Sequence, residues 1–588
     1  MITFTLNGVN ETFHGNPEEN LLKYLRLDKH ITSIKDGCSN QATCGACTVE
    51  INGKAKLACV IKMKTIEGAE IFTPEGFPEY VKDTIAKAFV NKGAVQCGFC
   101  SPGFISRTKV LLQENPNPTI DEIQKAIKPH ICRCTGYKKI EEAIQYAGQS
   151  IRENIKLEIT KTSGKIGVSH PKYDAYKTAI GERKFVDDMF FDGMLYAALK
   201  FSDHPKAKVL KIDITKAEKL QGVHKIFTAK DIPGEKKVGL IYQDWSVMID
   251  EGKTTHYIGD VIAGIVADSD EIAREAVQLI KVDYEVLEPV TDVYNAINGA
   301  RVHPEKPNNF DTCQFTIGDA DKTIRESKYV SKGKFETQRI EHAFLEKEAA
   351  IARPDGKDGL ELFSQSQGVY EDRRQVAMIL GLDEEKVRVT LIANGGGFGG
   401  KEDLSVQGHT ALFAYLLQKP VKLTLTREES IRLHPKKHPV FMEMELAANE
   451  NGKLTALKLR AIGDTGAYAS VGTKVLERVA GHASAGYYVP VIDIEAKTVY
   501  TNNIPCGAKR GFGANQVSFA IEQCIDDLCN QAGFDRWQFR YENALTDGLK
   551  TSTGQTVQGV GIRACLEEIK DDFKNAKYAG LACAIKNS

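Results

Sequence analysis

The stretch Asp36-Gly37-Cys38-Ser39-Asn40-Gln41-Ala42-Thr43-Cys44-Gly45-Ala46-Cys47 puts three thiols in one loop, and a fourth follows at Cys59. Thiolates this close can grip one metal centre from a single excursion of chain, with the last ligand arriving from further along. Outward from the loop the pattern recurs. Cys97 and Cys100 form a Cys-x-x-Cys pair, and Cys132 and Cys134 flank one residue. Eight of the 14 cysteines therefore fall within the first 134 residues as two groups of four. Structural zinc is the plain alternative for paired cysteines. It suits this chain poorly, because three ligands share one loop in the first group and ligands one residue apart in the second point in divergent directions. Two iron-sulfur clusters side by side are expected, and the rest of the chain must feed them electrons or take electrons away.

The sequence around the loop reads as a small β-rich unit. Ile2, Phe4 and Leu6 alternate, Asn7-Gly8 marks a hairpin, and Val9 to His14 returns. Asn16-Pro17-Glu18-Glu19 supplies an N-cap, a first-turn proline and an acidic third position, which predicts a short helix through Leu25. From about residue 78 the apolar period lengthens to between three and four. Val81, Ile85 and Phe89 share a helical face, Ser101-Pro102 caps a second helix, Thr119-Ile120-Asp121-Glu122 is a capping box for a third, and Lys139 to Gln149 reads as a fourth. Residues 150 to 178 are polar and lysine-rich, as a surface linker would be. Beyond it Leu195–Leu199, Val223–Phe227 and Val261–Ala267 read as strands and Glu271–Ile280 as a helix. From about 330 onward strands and helices keep mixing, with glycine-rich turns at 395–400, 463–472 and 507–513.

Composition narrows the function. At 588 residues the chain exceeds what one core supports, so several domains are expected. Basic and acidic residues balance at 77 and 78, which leaves no footprint for nucleic acid. No window approaches a membrane span, and the N-terminus lacks a basic leader, so a chain with no membrane span in the cytoplasm is expected. Eight thiols at ligand spacing suit that reducing compartment.

The first group, spaced Cys-x5-Cys-x2-Cys-x11-Cys, lies near the plant-ferredoxin pattern. Gln96-Cys97-Gly98-Phe99-Cys100-Ser101-Pro102-Gly103 and Cys132-Arg133-Cys134-Thr135-Gly136-Tyr137 resemble the second-cluster signature of the xanthine oxidase and aldehyde oxidoreductase family of molybdenum hydroxylases. The first-cluster loop departs from that family by one extra residue between Cys38 and Cys44. The resemblance implies a multi-domain α+β chain: a β-grasp, plant-ferredoxin-like 2Fe-2S domain over 1–76, a four-helix 2Fe-2S domain over 77–152 and a linker over 153–178. A hammerhead-like α/β domain over 179–300 and the first half of a mixed α/β molybdopterin-binding region over 301–588 would follow.

Gly395-Gly396-Gly397-Phe398-Gly399-Gly400-Lys401-Glu402 narrowly misses a phosphate-binding loop, because Glu402 stands where a magnesium-binding hydroxyl is needed. By resemblance, Gly397, Phe398 and Gly399 instead approach the molybdenum. Gln367, in Phe363-Ser364-Gln365-Ser366-Gln367, matches a glutamine that bonds the metal's oxo ligand. Lys509-Arg510-Gly511-Phe512-Gly513 matches a loop in which Arg510, Gly511 and Gly513 meet the pterin side and Phe512 stacks on substrate. Gln96 matches a residue reaching the pterin, which implies that the second cluster lies nearest the molybdenum and the first lies exposed toward the outside. Glu402 and Arg478 occupy the places of a glutamate and an arginine that contact the heterocycle in purine-oxidising relatives, and together they would form a charge pair in the substrate pocket.

The resemblance implies hydroxylation with water as the oxygen source, a glutamate as base, and electrons leaving singly through the clusters. That base is expected in a Gly-x-Gly-Glu setting, but Gly559-Val560-Gly561 is followed by Ile562. The expectation is therefore a multi-subunit enzyme. This chain would bring two 2Fe-2S clusters and part of the molybdenum-molybdopterin site, a second molybdopterin-domain chain would bring the base, and FAD, where present, would sit on a third. A truncated chain is the competing explanation. The expected substrate is a purine such as hypoxanthine or xanthine, with nicotinate-type hydroxylation and aldehyde oxidation as alternatives, and a pure electron-transfer and docking subunit as the non-enzyme reading.

Overall fold

The computed structural model describes residues 1–586, so the last two positions of the region expected over 301–588 lie outside it. Strands Ile2–Leu6 and Val9–Phe13 pair antiparallel about Asn7-Gly8, where φ is +52° and +81°, as a two-residue primed turn requires. The sheet runs in space Val9–Phe13, Ile2–Leu6, Glu70–Phe72, Thr48–Ile51, Lys54–Leu57. Its apolar face buries Phe4 and Leu6 against Leu21, Leu22 and Leu25.

The expected helix from Asn16 starts later. Asn16 closes only a local turn by accepting from the Glu18 amide, and the carbonyls of Pro17 and Glu19 are taken by the amides of Lys64 and Met63. The helical turn begins at Leu21, with Asn20 accepting from Lys23 at 2.8 Å, and widens to a π turn over Tyr24–Asp28.

Four helices follow: Glu79–Asn91, Ser101–Glu114, Ile120–Ile127 and Lys138–Arg152. Thr119 and Glu122 close the capping box of the third. The middle of the expected linker is exposed, but both ends are pinned. Leu157 is buried in the four-helix core, and the short helix Ala175–Ala179 buries Ala175 and Ala179 in it.

The larger part is built on two sheets. The first orders Val387–Leu391, Leu360–Ser364, Ala349–Pro354, Val421–Thr424, Leu195–Phe201, Val261–Ala267 and Val223–Phe227. Strands from the expected 179–300 domain and from the region beyond it share this sheet, joined where Val421–Leu423 runs parallel to Leu195–Ala197. The second orders Asn309–Ile317, Val491–Tyr500, Leu454–Gly466, Val440–Ala448 and Tyr329–Thr337, and buries one face against helices Gly472–Gly481 and Ala514–Ala532. The glycine-rich loop leaves the first sheet after its edge strand Val387–Leu391.

Candidate cofactor and substrate site

Each cysteine group converges on one point. Cys38, Cys44, Cys47 and Cys59 are buried, and no cysteine among the described residues is in a disulfide. The Cys44 thiol donates to Cys38 and holds its pKa below the usual thiol value, while the same contact pushes Cys44 up; Cys47 and Cys59 form a second such pair. Amides of Thr43 and Cys44 point at Cys38, those of Ala46 and Gly37 at Cys44, and that of Ala42 at Cys59. The backbone reaches these sulfurs through left-handed turns at Ser39, Asn40, Ala42 and Gly45. Four thiols ringed by N–H donors fit a charged sulfur-bridged cluster, because the donors stabilise its negative charge. The sulfurs of the first group are buried, and the chain covering them faces solvent at residues 40–43 and at Val60.

The second group is equally compact. Cys97 pairs with Cys134, and Cys132 contacts both Cys100 and Cys134. The two groups touch through the backbone, where the Ile131 amide donates to the Cys44 carbonyl at 2.9 Å. The second group also docks on the rest of the molecule. Arg133 donates to the His342 carbonyl at 3.0 Å, and a Cβ on Gly395 would lie 3.0 Å from the Phe99 ring. Gln96 is exposed, three residues before that ring.

Three loops meet at Gly395–Glu402. The Gln367 Oε1 accepts the amides of Gly399 at 2.9 Å and Lys401 at 3.4 Å, and a Cβ on Gly397 would sit 2.3 Å from it. Gly399, at φ +97°, passes so close to the next loop that a Cβ would meet the Ala508 carbonyl at 2.6 Å. The Arg510 amide donates to the Phe398 carbonyl at 2.9 Å, which ties Lys509–Gly513 to the glycine loop. Phe398 and Phe512 both hold positive φ and are half-buried. Gly511 and Gly513 are left-handed, and a Cβ on Gly513 would collide with the Val475 carbonyl at 2.4 Å and Arg478 Cβ at 2.8 Å. The structure thus brings Gln367, Gly397, Phe398, Gly399, Arg510, Gly511, Phe512 and Gly513 together. Their close-packed glycines leave a backbone cradle with no room for larger side chains, and exposed Gln367 and Arg510 border it.

The expected charge pair does not close. Glu402 is half-buried, and burial alone raises its carboxyl, with no cation opposing it. Arg478 is exposed on the helix Gly472–Gly481 and lines a cleft of about 370 Å³ with Asp311, Phe315 and Gln555, none of them from the glycine loop. The loop 508–513 separates the two, packing on Gly399 at one end and Arg478 at the other.

Two buried networks beneath the cradle escaped the reading of the sequence. Glu346 and Lys401 pair at 3.0 Å, each about 2 % exposed at the side chain, and the Glu346 carboxylate also accepts the Gly395 amide at 2.6 Å. Their signal was the charged run Glu346-Lys347-Glu348 abutting the apolar strand Ala349–Pro354. In the other network, His434 lies between Glu341 at 2.8 Å and Glu348 at 2.9 Å. Burial pulls its pKa down, but the two carboxylates prevail and raise it. Donor atoms of Glu341, His342 and His434 lie within 4.8 Å of one another, yet the Lys436 ammonium, 2.8 Å from Glu341, already supplies the positive charge.

Two four-thiol sites wired to a glycine cradle on an α/β scaffold define an iron-sulfur redox protein with a second cofactor site. Family models place the assignment further. The 2Fe-2S iron-sulfur cluster binding domain matches residues 4–64 and the [2Fe-2S] binding domain 73–145. The a/b hammerhead domain of aldehyde oxidase and xanthine dehydrogenase matches 180–288, and the molybdopterin cofactor-binding domain 302–544. The chain is 35% identical to the nicotinate dehydrogenase large molybdopterin subunit of Eubacterium barkeri over 69% of its own length and 96% of that subunit. It is 36% identical to a probable xanthine dehydrogenase subunit of Bacillus subtilis, over 64% of this chain and 50% of that one. The aldehyde oxidoreductase structure from Desulfovibrio gigas superposes with a TM-score of 0.93 at 29% identity, over 98% of this chain and 66% of that one. The chain spans half the length of the Bacillus relative. It belongs to the xanthine dehydrogenase and aldehyde oxidoreductase family of molybdenum-dependent oxidoreductases.

Proposed function

We infer that this chain supplies the electron relay and part of the molybdopterin site of a hydroxylase acting on an N-heteroaromatic compound, with a purine favoured. Half-buried Glu402, beside the cradle and without a cation of its own, carries this reading. A carboxyl raised by burial is available as acceptor when ionised and as donor when protonated, which suits the mixed N and N–H edge of a heterocycle. Cys38, Cys44, Cys47 and Cys59 would hold one 2Fe-2S cluster, and Cys97, Cys100, Cys132 and Cys134 the other. Gln96, Gln367, Gly397, Phe398, Gly399, Arg510, Gly511 and Gly513 would border the molybdenum-pterin. When bound, that group supplies a two-electron oxidation, and each cluster relays one electron at a time. This chain's own residues position and exclude: Phe512 offers an aromatic face, and the glycine loop admits the cofactor where side chains would not fit.

A second molybdopterin chain would provide the base and close the site beside Arg478, and any flavin would be carried separately. The match over 96% of a relative named as a large molybdopterin subunit supports this arrangement. Free thiols suit the cytoplasm. Assaying the complete complex with hypoxanthine, xanthine, nicotinate and aldehydes tests the substrate. Turnover of heterocycles, lowered at least tenfold by Glu402→Ala, is the expected result. Turnover of aldehydes alone would move the assignment to aldehyde oxidation, the second reading, which the resemblance to the Desulfovibrio structure favours. Unchanged heterocycle turnover in Glu402→Ala would remove that residue's role.

A further inference from the structure

We propose that the buried Glu346–Lys401 pair is a positioning device that links the second cluster to the glycine cradle and cancels its own charge beside that cluster, so that loss of either partner shifts the second cluster's reduction potential more than the first's. This rests on the cofactor assignments above.

The pair sits where three segments meet. Glu346 holds Gly395 by two contacts, its carboxylate accepting the Gly395 amide at 2.6 Å and its own amide donating to the Gly395 carbonyl at 3.3 Å. Gly395 is the residue against which the Phe99 ring packs, between Cys97 and Cys100. On the other side Lys401 holds Gln367. Its carbonyl accepts the Gln367 amide at 2.8 Å, and its amide reaches the same Gln367 Oε1 that accepts from Gly399. The Lys401 ammonium also donates to Gln365 Oε1 and lies 4.7 Å from the centroid of the Phe344 ring. One ion pair therefore ties the cluster-facing end of the loop to its cradle end.

Stability alone does not account for this pair. Desolvating two charges costs about as much as their attraction returns, so an apolar pair of like volume would serve the core equally well. Charge at this spot has an electrostatic consequence instead. A cluster gains negative charge on reduction, so nearby charge moves its potential. Glu346 reaches the second group through Gly395, which packs on Phe99 between Cys97 and Cys100. In the native pair the two charges offset each other. Removing the carboxylate leaves an unopposed ammonium beside the second cluster, which favours its reduced state.

The test is a redox titration of the assembled complex, following the electron paramagnetic resonance signals of the two clusters separately. Glu346→Gln is expected to raise the proportion of reduced second cluster about tenfold at fixed potential, 59 mV for a one-electron couple, with a smaller shift of the first. The double variant Glu346→Gln/Lys401→Met, neutral again, is expected to return the second potential toward wild type. Lys401→Arg is expected to keep both the potential and the molybdenum content, whereas Lys401→Met loses molybdenum. Equal shifts in both clusters, or no shift in Glu346→Gln when both wild-type signals are present, would overturn the link and leave the cofactor reading standing. A wild-type complex without two cluster signals would overturn both.

Discussion

Gly397 and Gly399 are two residues apart but resist a methyl group for different reasons. At Gly399 the backbone is left-handed and the obstacle is the Ala508 carbonyl, which cannot swing away. Gly399→Ala should therefore cost on the order of 1–3 kcal/mol in stability, visible as an earlier denaturant midpoint. At Gly397 the obstacle is the far end of the Gln367 side chain, which can move. Gly397→Ala should leave the unfolding midpoint nearly unchanged but displace Gln367 Oε1 from the Gly399 and Lys401 amides. The complex should then retain at least tenfold less molybdenum, measured by metal analysis beside the denaturation curves. Loss of stability in Gly397→Ala, or full molybdenum in it, would contradict the cradle geometry.

Among the elements, the helix Ile120–Ile127 states its own beginning. The Thr119 hydroxyl accepts the Glu122 amide and the Glu122 carboxylate accepts the Thr119 amide, while Ile123, Ala126 and Ile127 face the four-helix core. Thr119→Ala should cost about 1 kcal/mol, read from chemical denaturation; no change would mean that packing alone fixes this end. The helix was legible because its cap and its apolar spacing are local. The same reasoning misplaced the first helix, because Pro17 and Glu19 give their carbonyls to Lys64 and Met63, far along the chain, and no local pattern announces that. The shared seven-stranded sheet was hidden for a similar reason: β pairing between 195–197 and 421–423 depends on tertiary context. Cysteine and glycine spacing exposed most of the candidate site, whereas the Glu346–Lys401 pair joins residues too distant in sequence to suggest each other. Arg478 matched by position, but its separation from Glu402 is a matter of how a helix and a loop pack.

Across the whole molecule, buried acids and buried histidines pull the response to pH in opposite directions. Burial raises Asp260 and Asp403 to about 7 and Asp372 to about 6, and each lies in the part built on the two large sheets. Asp403 accepts the Ser470 hydroxyl at 2.7 Å and meets no cation, so its neutral form is the one the interior favours. In the unfolded chain an aspartate ionises near 4. Between that value and the folded pKa the native state holds a proton that the unfolded state has released, so stability falls as pH rises through the interval. The contribution is fully present below the unfolded pKa and lost once pH passes about 7. Glu348 acts in the opposite sense: it is held down to about 2 with His434 opposing its burial, and its contribution is lost only as pH falls toward that value. From about pH 5.5 to about pH 8, a range above the Glu348 window, the buried aspartates add a declining component. His130, His256, His342, His409 and His438, all held below the usual imidazole value by burial, add a rising one, so the aspartate component is read from the difference between wild type and a variant. Asp403→Asn keeps the side chain's size and an acceptor for Ser470 while removing the titration, so the midpoint of the wild type should fall relative to that of the variant as pH rises over that range. Parallel curves for the two proteins would mean that Asp403 is already ionised in the fold, and that the slope belongs to other groups.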